Sequence, residues 1–229
     1  MGRGAALGVI AALTAALTGC SADSPPSAAS PSPSAVPDHD VQLQVQTAEV
    51  SGRRVAWARL GAGGAGSGDP LVLLNGTGSP MAEWDPMLLA ELSRGRQVIV
   101  YDYPGLGGSQ RLRGRLTFDR LADSLHGLLG ALGLSQVDVL GWSMGTFVAQ
   151  RLVVRHPQDV GHLILVGGNP GGSRTTLGPR WVQRADSDPD AGTDTYLRTN
   201  YPRIPCAQAA GRRFLERLSR GSRLRALPA

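Results

Sequence analysis

Ser143 stands in the middle of Gly-Trp-Ser-Met-Gly, residues 141–145, where a β-type run (Val-Asp-Val-Leu, 137–140) gives way to a helical one. Those residue types at that spacing suit a nucleophile. A tight strand-to-helix turn lifts the serine hydroxyl above the sheet. Glycines two positions to either side, Gly141 and Gly145, relieve the crowding that such a turn creates. The amides that open the following helix favour negative charge beside the hydroxyl. The chemistry would be attack on an acyl carbon. The plainer reading is that Gly141 and Gly145 serve only a tight β-to-α turn.

A serine nucleophile needs a histidine to take its proton and a carboxylate to orient that histidine. The chain has four histidines, and none is well placed. His39 lies in a Ser/Pro-rich stretch. His126 lies inside an amphipathic run that crosses back over a sheet face. His156 ends the helix begun at Ser143, about 20 Å away at ~1.5 Å per residue. His162 opens the next strand, whereas sites in open parallel sheets form at the carboxyl ends of strands. Asp186, Asp188, Asp190 and Asp194 fall in a polar, loop-like segment and read as a solvated turn. Asp102, at a strand end, reads as a structural group bonding loop amides. Two cysteines and scattered histidines lack metal-ligand spacing, so no metal or other cofactor is expected.

The elements that would hold this serine are legible. Val-Gln-Leu-Gln-Val-Gln-Thr-Ala-Glu-Val (41–50) alternates apolar and polar residues and predicts a half-exposed strand, with Arg-Arg-Val-Ala-Trp-Ala-Arg-Leu (53–60) as its partner. Leu-Val-Leu-Leu-Asn (71–75) and Val-Ile-Val-Tyr-Asp (98–102) are continuous apolar runs, as in strands buried on both faces of a parallel sheet. Between them residues 81–94 predict one amphipathic helix. Residues 117–134 predict a second, opened by a Thr117 cap. A third helix runs from Ser143 to His156, and a last strand occupies 160–168. Two antiparallel strands followed by β-α-β-α-β-α-β give an α/β layer pattern. Residues 173–229 hold no further buried β-type run, and 207–220 predict a helix.

Composition bounds the rest. The chain has 229 residues, 41% of them hydrophobic, and a formal net charge of +5. All 23 basic residues are arginines, and six of them (212, 213, 217, 220, 223, 225) stand against Glu216 alone in the last nineteen positions. Residues 1–210 therefore balance at 17 against 17, and the excess reads as a solvated basic tail rather than a nucleic-acid surface. The amino terminus reads as an address. Arg3, an apolar run from Ala5 to Thr18 and small residues before Cys20 fit a secretory signal, being shorter than the ~20 residues a membrane span needs. Residues 21–40 read as a Ser/Pro-rich tether. The expected organisation is signal 1–20, tether 21–40, α/β core 41–170, and a lid-like region with the basic tail at 171–229.

Three separated motifs agree with a known family. Asn-Gly-Thr-Gly-Ser-Pro (75–80), right after a strand, is similar to a histidine-glycine oxyanion loop, with Asn75 where histidine is usual. Asp-Tyr-Pro-Gly-Leu-Gly-Gly-Ser (102–109) and the serine turn follow in the family's order. Residues 41–220 thus resemble an α/β-hydrolase of the serine esterase and haloperoxidase-like type. The resemblance implies Ser143 as the catalytic nucleophile on an elbow of Gly141, Trp142 and Gly145. It implies an oxyanion hole from the backbone amides of Thr77 and Met144. Trp142 is expected either in an acyl pocket or in the core. A small acyl substrate is implied, handled through an acyl-serine intermediate.

In this family the acid and the histidine follow later strands. The expectation is thus a hydrolase lacking its carboxy-terminal part, with the strand at 160–168 left as a sheet edge. Its activity should lie roughly 10⁴- to 10⁶-fold below that of a complete triad. The alternative is a catalytically inactive surface protein that uses the fold for binding. Leu-Thr-Gly-Cys (17–20) resembles a bacterial lipobox, which implies lipidation of Cys20, a membrane anchor and an extracytoplasmic location. Cys206 is then expected as a buried free thiol.

Overall fold

In the computed structural model the described residues are 41–63, 68–173, 175–186, 188, 190, 192–220 and 223–225. The signal, the tether and His39 lie outside them. The described chain forms two compact units. The larger comprises 41–176 and the segment from Arg217 on; the smaller is Leu177–Glu216.

The larger unit is built on a six-stranded sheet in the order β2-β3-β5-β4-β6-β7. Its strands are β2 (Gln46–Val50), β3 (Arg53–Leu60), β4 (Gly68–Leu74), β5 (Arg96–Tyr101), β6 (Val137–Trp142) and β7 (Val160–Val166). β2 pairs antiparallel with β3, and β3 antiparallel with β5; β5, β4, β6 and β7 are parallel neighbours. The mostly parallel α/β sheet expected from the apolar runs is therefore present. Alternation along its central strands fills both faces. Val72, Leu74, Ile99 and Val139 turn towards Leu121, Leu125, Leu128, Val148 and Leu152. Leu71, Leu73, Val98 and Val100 turn towards Met81, Trp84 and Leu89. Burial on both sides is what demands continuous apolar runs in place of alternation.

The crossover helices are α1 (Pro86–Leu92), α2 (Phe118–Ala131) and α3 (Met144–Arg155). Thr117 caps α2 as expected, its hydroxyl accepting from the Arg120 amide at 3.3 Å. The single helix expected over 81–94 is instead a 3₁₀ turn, Met81–Glu83, and a separate α1. Asp85 caps α1, accepting from the Met87 amide at 3.0 Å, and Pro86 occupies the first helical position. A proline there offers no amide to continue a preceding helix but suits the start of a new one. The strand expected over 41–50 is likewise divided. β1 (Gln42–Gln44) leaves the main sheet and pairs in parallel with β8 (Arg223–Arg225), a strand the sequence does not announce.

β7 is the outer strand. Leu163, Ile164 and Leu165 are each between 38% and 45% exposed, whereas residues 71–74 and 98–100 inside the sheet are buried. An apolar edge with open ladder groups is a template for pairing with another strand.

The smaller unit is helical: α4 (Arg180–Asp186), α5 (Thr193–Asn200) and most of α6 (Pro205–Arg220). Gly211 lets α5 and α6 meet, because a Cβ there would lie 2.9 Å from the Tyr201 ring. Cys206 is disulfide-bonded, not the free thiol expected. Four of the six terminal arginines lie on α6, and Arg223 and Arg225 lie on β8. Among the described residues, no helix is long and apolar enough to cross a membrane.

Candidate active site

β6 ends at Trp142 and α3 begins at Met144, which leaves one residue to turn the chain. Ser143 takes φ 52° and ψ −118°. A side chain at positive φ with that ψ is strained, and neighbours must hold it there. They do so from both sides. The Ser143 amide donates to the Val166 carbonyl at 2.9 Å, extending the β6–β7 ladder. The Ser143 carbonyl accepts from the Thr146 amide at 3.0 Å and from the Thr146 hydroxyl at 2.7 Å. Thr146 is fully buried, so neither bond is open to solvent competition.

The two glycines expected around the serine have distinct jobs. A Cβ on Gly145 would overlap the Leu74 carbonyl and come 2.9 Å from that of Asn75. A Cβ on Gly141 would lie 2.5 Å from the Gly145 carbonyl oxygen. The first turn of α3 therefore packs directly on the carboxyl end of β4, backbone against backbone.

That packing brings the loop after β4 to the serine. Asn75 is 3% exposed. Its Oδ1 accepts from the Gly76 amide at 2.9 Å, and its Nδ2 donates to the Pro80 carbonyl at 3.0 Å. The Tyr103 hydroxyl donates to the Asn75 carbonyl at 3.0 Å. In place of histidine, Asn75 thus closes the 75–80 loop on itself. Gly76 passes so near that a Cβ there would lie 2.9 Å from the Trp142 ring and 3.5 Å from the Ser143 Cβ. Trp142 packs in the core, half-buried, with its ring centroid 6.4 Å from that of Trp84. Thr77 follows Gly76 on the exposed side, and Met144 opens α3. Among the described residues, neither the Thr77 nor the Met144 amide is spent on a protein acceptor.

Asp102 performs the structural work expected of it. Its carboxylate is buried and accepts from the Met81 amide at 2.7 Å and the Gly108 amide at 2.8 Å. Its carbonyl accepts from the Ser109 hydroxyl at 2.7 Å. One carboxylate thereby ties the turn after the 75–80 loop to the 103–109 loop.

The three described histidines lie elsewhere. His162 Nδ1 is 2.7 Å from Asp138 Oδ1, at the amino end of β6 and five residues from Ser143, roughly 17 Å at strand rise. His126 and His156 meet at the far end of α3, with ring centroids 4.0 Å apart. Asp188, Asp190 and Asp194 fall in the smaller unit, with Asp190 folding back to bond Asp188. Asp138 also carries Arg96, whose Nη2 lies 2.6 Å from its Oδ2. Desolvation raises the Asp138 pKa, but the Arg96 and His162 hydrogen bonds together outweigh it and hold the carboxyl below its ordinary value. A depressed folded-state pKa adds stability that is complete above the unfolded value and lost as pH falls through the folded one. Asp138→Asn is thus expected to lower stability near pH 6 and to flatten its decline below about pH 4. Urea melts from about pH 2.5 to about pH 6 would read this.

The sequence profile of the α/β hydrolase fold matches residues 69–227. The chain belongs to the α/β-hydrolase fold family. It is 35% identical over 106 residues to the 2-hydroxymuconate semialdehyde hydrolase of Pseudomonas sp. (strain CF600), a match covering 45% of this chain and 38% of that enzyme. It is 36% identical over 105 residues to the 2-hydroxy-6-oxo-2,4-heptadienoate hydrolase of Pseudomonas putida, covering 44% and 38%. Among solved structures, an α/β hydrolase fold protein from Chitinophaga pinensis superposes with a TM-score of 0.67 at 28% identity, covering 79% of this chain and 64% of that one. The matched segment thus spans less than two fifths of those two enzymes.

Proposed function

We propose that this α/β-hydrolase-family chain carries the nucleophile of a serine hydrolase acting on esters or related acyl compounds. The observation that carries the reading is Ser143 at φ 52°, ψ −118° on the turn between β6 and α3. Its hydroxyl would attack the acyl carbon. The carbonyl electrons would move onto oxygen, where the Thr77 and Met144 amides supply two donors. Aimed amides of this kind contribute about 3 kcal/mol each in other hydrolases. Collapse of the tetrahedral adduct would release the alcohol and leave an acyl-serine. Relatives named as hydrolases of 2-hydroxymuconate semialdehyde and of 2-hydroxy-6-oxo-2,4-heptadienoate leave the reaction subtype open. None of the three described histidines lies near Ser143, so the described residues supply no base to accept its proton. That same observation favours the second reading, a binding module that keeps the fold without turnover.

A fluorophosphonate probe separates the two. Labelling is expected at Ser143, slow but site-specific, and absent from Ser143→Ala. Intact-mass and peptide mapping would read it. A folded chain that takes no label refutes the nucleophile assignment and leaves the binding module. We also propose that Cys20 is lipidated and anchors the chain outside the cytoplasm, on the strength of Leu-Thr-Gly-Cys at 17–20. The chain has two cysteines, so this reading stands against the Cys206 disulfide and requires that bond to be absent from the exported protein. Detergent-phase partition of the wild type, lost in Cys20→Ala, supports that proposal. A Cys20 recovered in a disulfide refutes it, since one sulfur cannot hold both.

A further inference from the structure

Two histidines that are thirty residues apart in sequence become neighbours in the fold. His126 lies midway along α2, and His156 caps the end of α3. Their rings stack with centroids 4.0 Å apart and planes 2° from parallel. Asp159, in the 3₁₀ turn that leads into β7, is buried and places Oδ2 2.7 Å from His126 Nδ1. One ligand atom from each of the three lies within 4.8 Å of the others.

We propose that His126, His156 and Asp159 form a binding site for a divalent transition-metal ion of the zinc type. Two imidazoles and one carboxylate are a borderline donor set that suits such an ion better than magnesium or calcium, which prefer oxygen alone. Asp123 completes the arrangement. Its Oδ1 lies 2.9 Å from His156 Nε2, which leaves Nδ1 of that ring as the nitrogen available to a metal. A carboxylate hydrogen-bonded to the second nitrogen of a ligating histidine fixes its tautomer and orientation. Asp123 is itself held by Arg155, through contacts of 2.8 Å from Nε and from Nη2, so its place is behind the ligand and not on the metal. The two ring planes are parallel, and imidazole lone pairs lie in the ring plane, so the His126 ring must turn about its Cβ–Cγ bond to share one ion with His156 Nδ1 and Asp159. Both imidazoles are partly exposed, which gives room for that turn and for water in the coordination shell. The ion would staple α2 to the α3–β7 connection, at the far end of α3 from Ser143. Its role is therefore structural and separate from acyl chemistry.

The test uses the full, tag-free chain with Zn²⁺ in calorimetry and Co²⁺ in absorption. One equivalent of Zn²⁺ is expected to bind and to raise Tm by several degrees. The Co²⁺ spectrum should show ligand-field bands without thiolate charge transfer, which separates this site from any cysteine. Affinity should fall roughly tenfold or more in His126→Ala and in His156→Ala, and about tenfold in Asp123→Asn. His162→Ala, on a separate pair with Asp138, should bind as the wild type does. Circular dichroism of the variants without metal controls for folding. His156→Gln serves should His156→Ala fail to fold. No stoichiometric binding by the wild type overturns the proposal. So does binding that survives in a folded His126→Ala/His156→Ala double variant.

Discussion

Gly145→Ala should cost about 3 kcal/mol or more and strip the chain of any fluorophosphonate labelling. Filling a packed core ordinarily costs roughly 1–3 kcal/mol, because neighbouring side chains give way. Here the obstacles are backbone: the Leu74 carbonyl overlaps the new Cβ, and the Asn75 carbonyl stands 2.9 Å from it. Neither can swing aside without moving the end of β4, and with it the loop carrying Gly76 and Thr77. The only relief is for α3 to lift away, which releases Ser143 from its turn. Stability and labelling should therefore fall together. Gly130→Ala is the control. It lies on the exposed side of α2 with nothing within 4 Å of a new Cβ, and should add roughly 0.5–1 kcal/mol. Urea denaturation of the two variants would check the pair. A Gly145→Ala chain of wild-type stability would mean that α3 does not rest on β4 as described.

Asp102→Ala should be comparably damaging, at about 3 kcal/mol, a drop of roughly 10 °C in Tm for a domain of this size. The carboxylate is 1% exposed and accepts from two backbone amides on different loops. Hydrogen bonds to a carboxylate contribute about 1.5–3 kcal/mol each. Removing the acceptor strands the buried Met81 amide, whereas the amide of exposed Gly108 can turn to water. Asp102→Asn should recover only part of the loss. One oxygen can still accept, while the new NH₂ confronts an N–H. Because Met81 follows the 75–80 loop directly, labelling of Ser143 should also slow. An Asp102→Ala variant that loses labelling at unchanged stability would instead point to a direct part in the chemistry.

The serine turn was legible in the sequence because its causes are local. A buried run, a glycine, three residues centred on the serine, a second glycine and an amphipathic run leave the chain few ways to turn at 143. The Thr117 cap and the two-faced strands at 71–74 and 98–101 were equally local. Where expectation failed, a distant or subtle cause decided. Asp85-Pro86 could have been read as a cap and a first helical residue, and would have divided 81–94 correctly. The pairing of β1 with β8 could not have been read, since a three-residue strand has no pattern of its own and its partner is 181 positions away.

The sequence by itself determined the α/β layering and the place of Ser143, because periodicity and glycine placement act within a few residues. Tertiary structure alone decided that Asn75 closes its own loop, that Asp102 spans two loops, and that His126, His156 and Asp159 converge. Those arrangements depend on which strand ends and helix faces meet, and packing the whole sheet settles that.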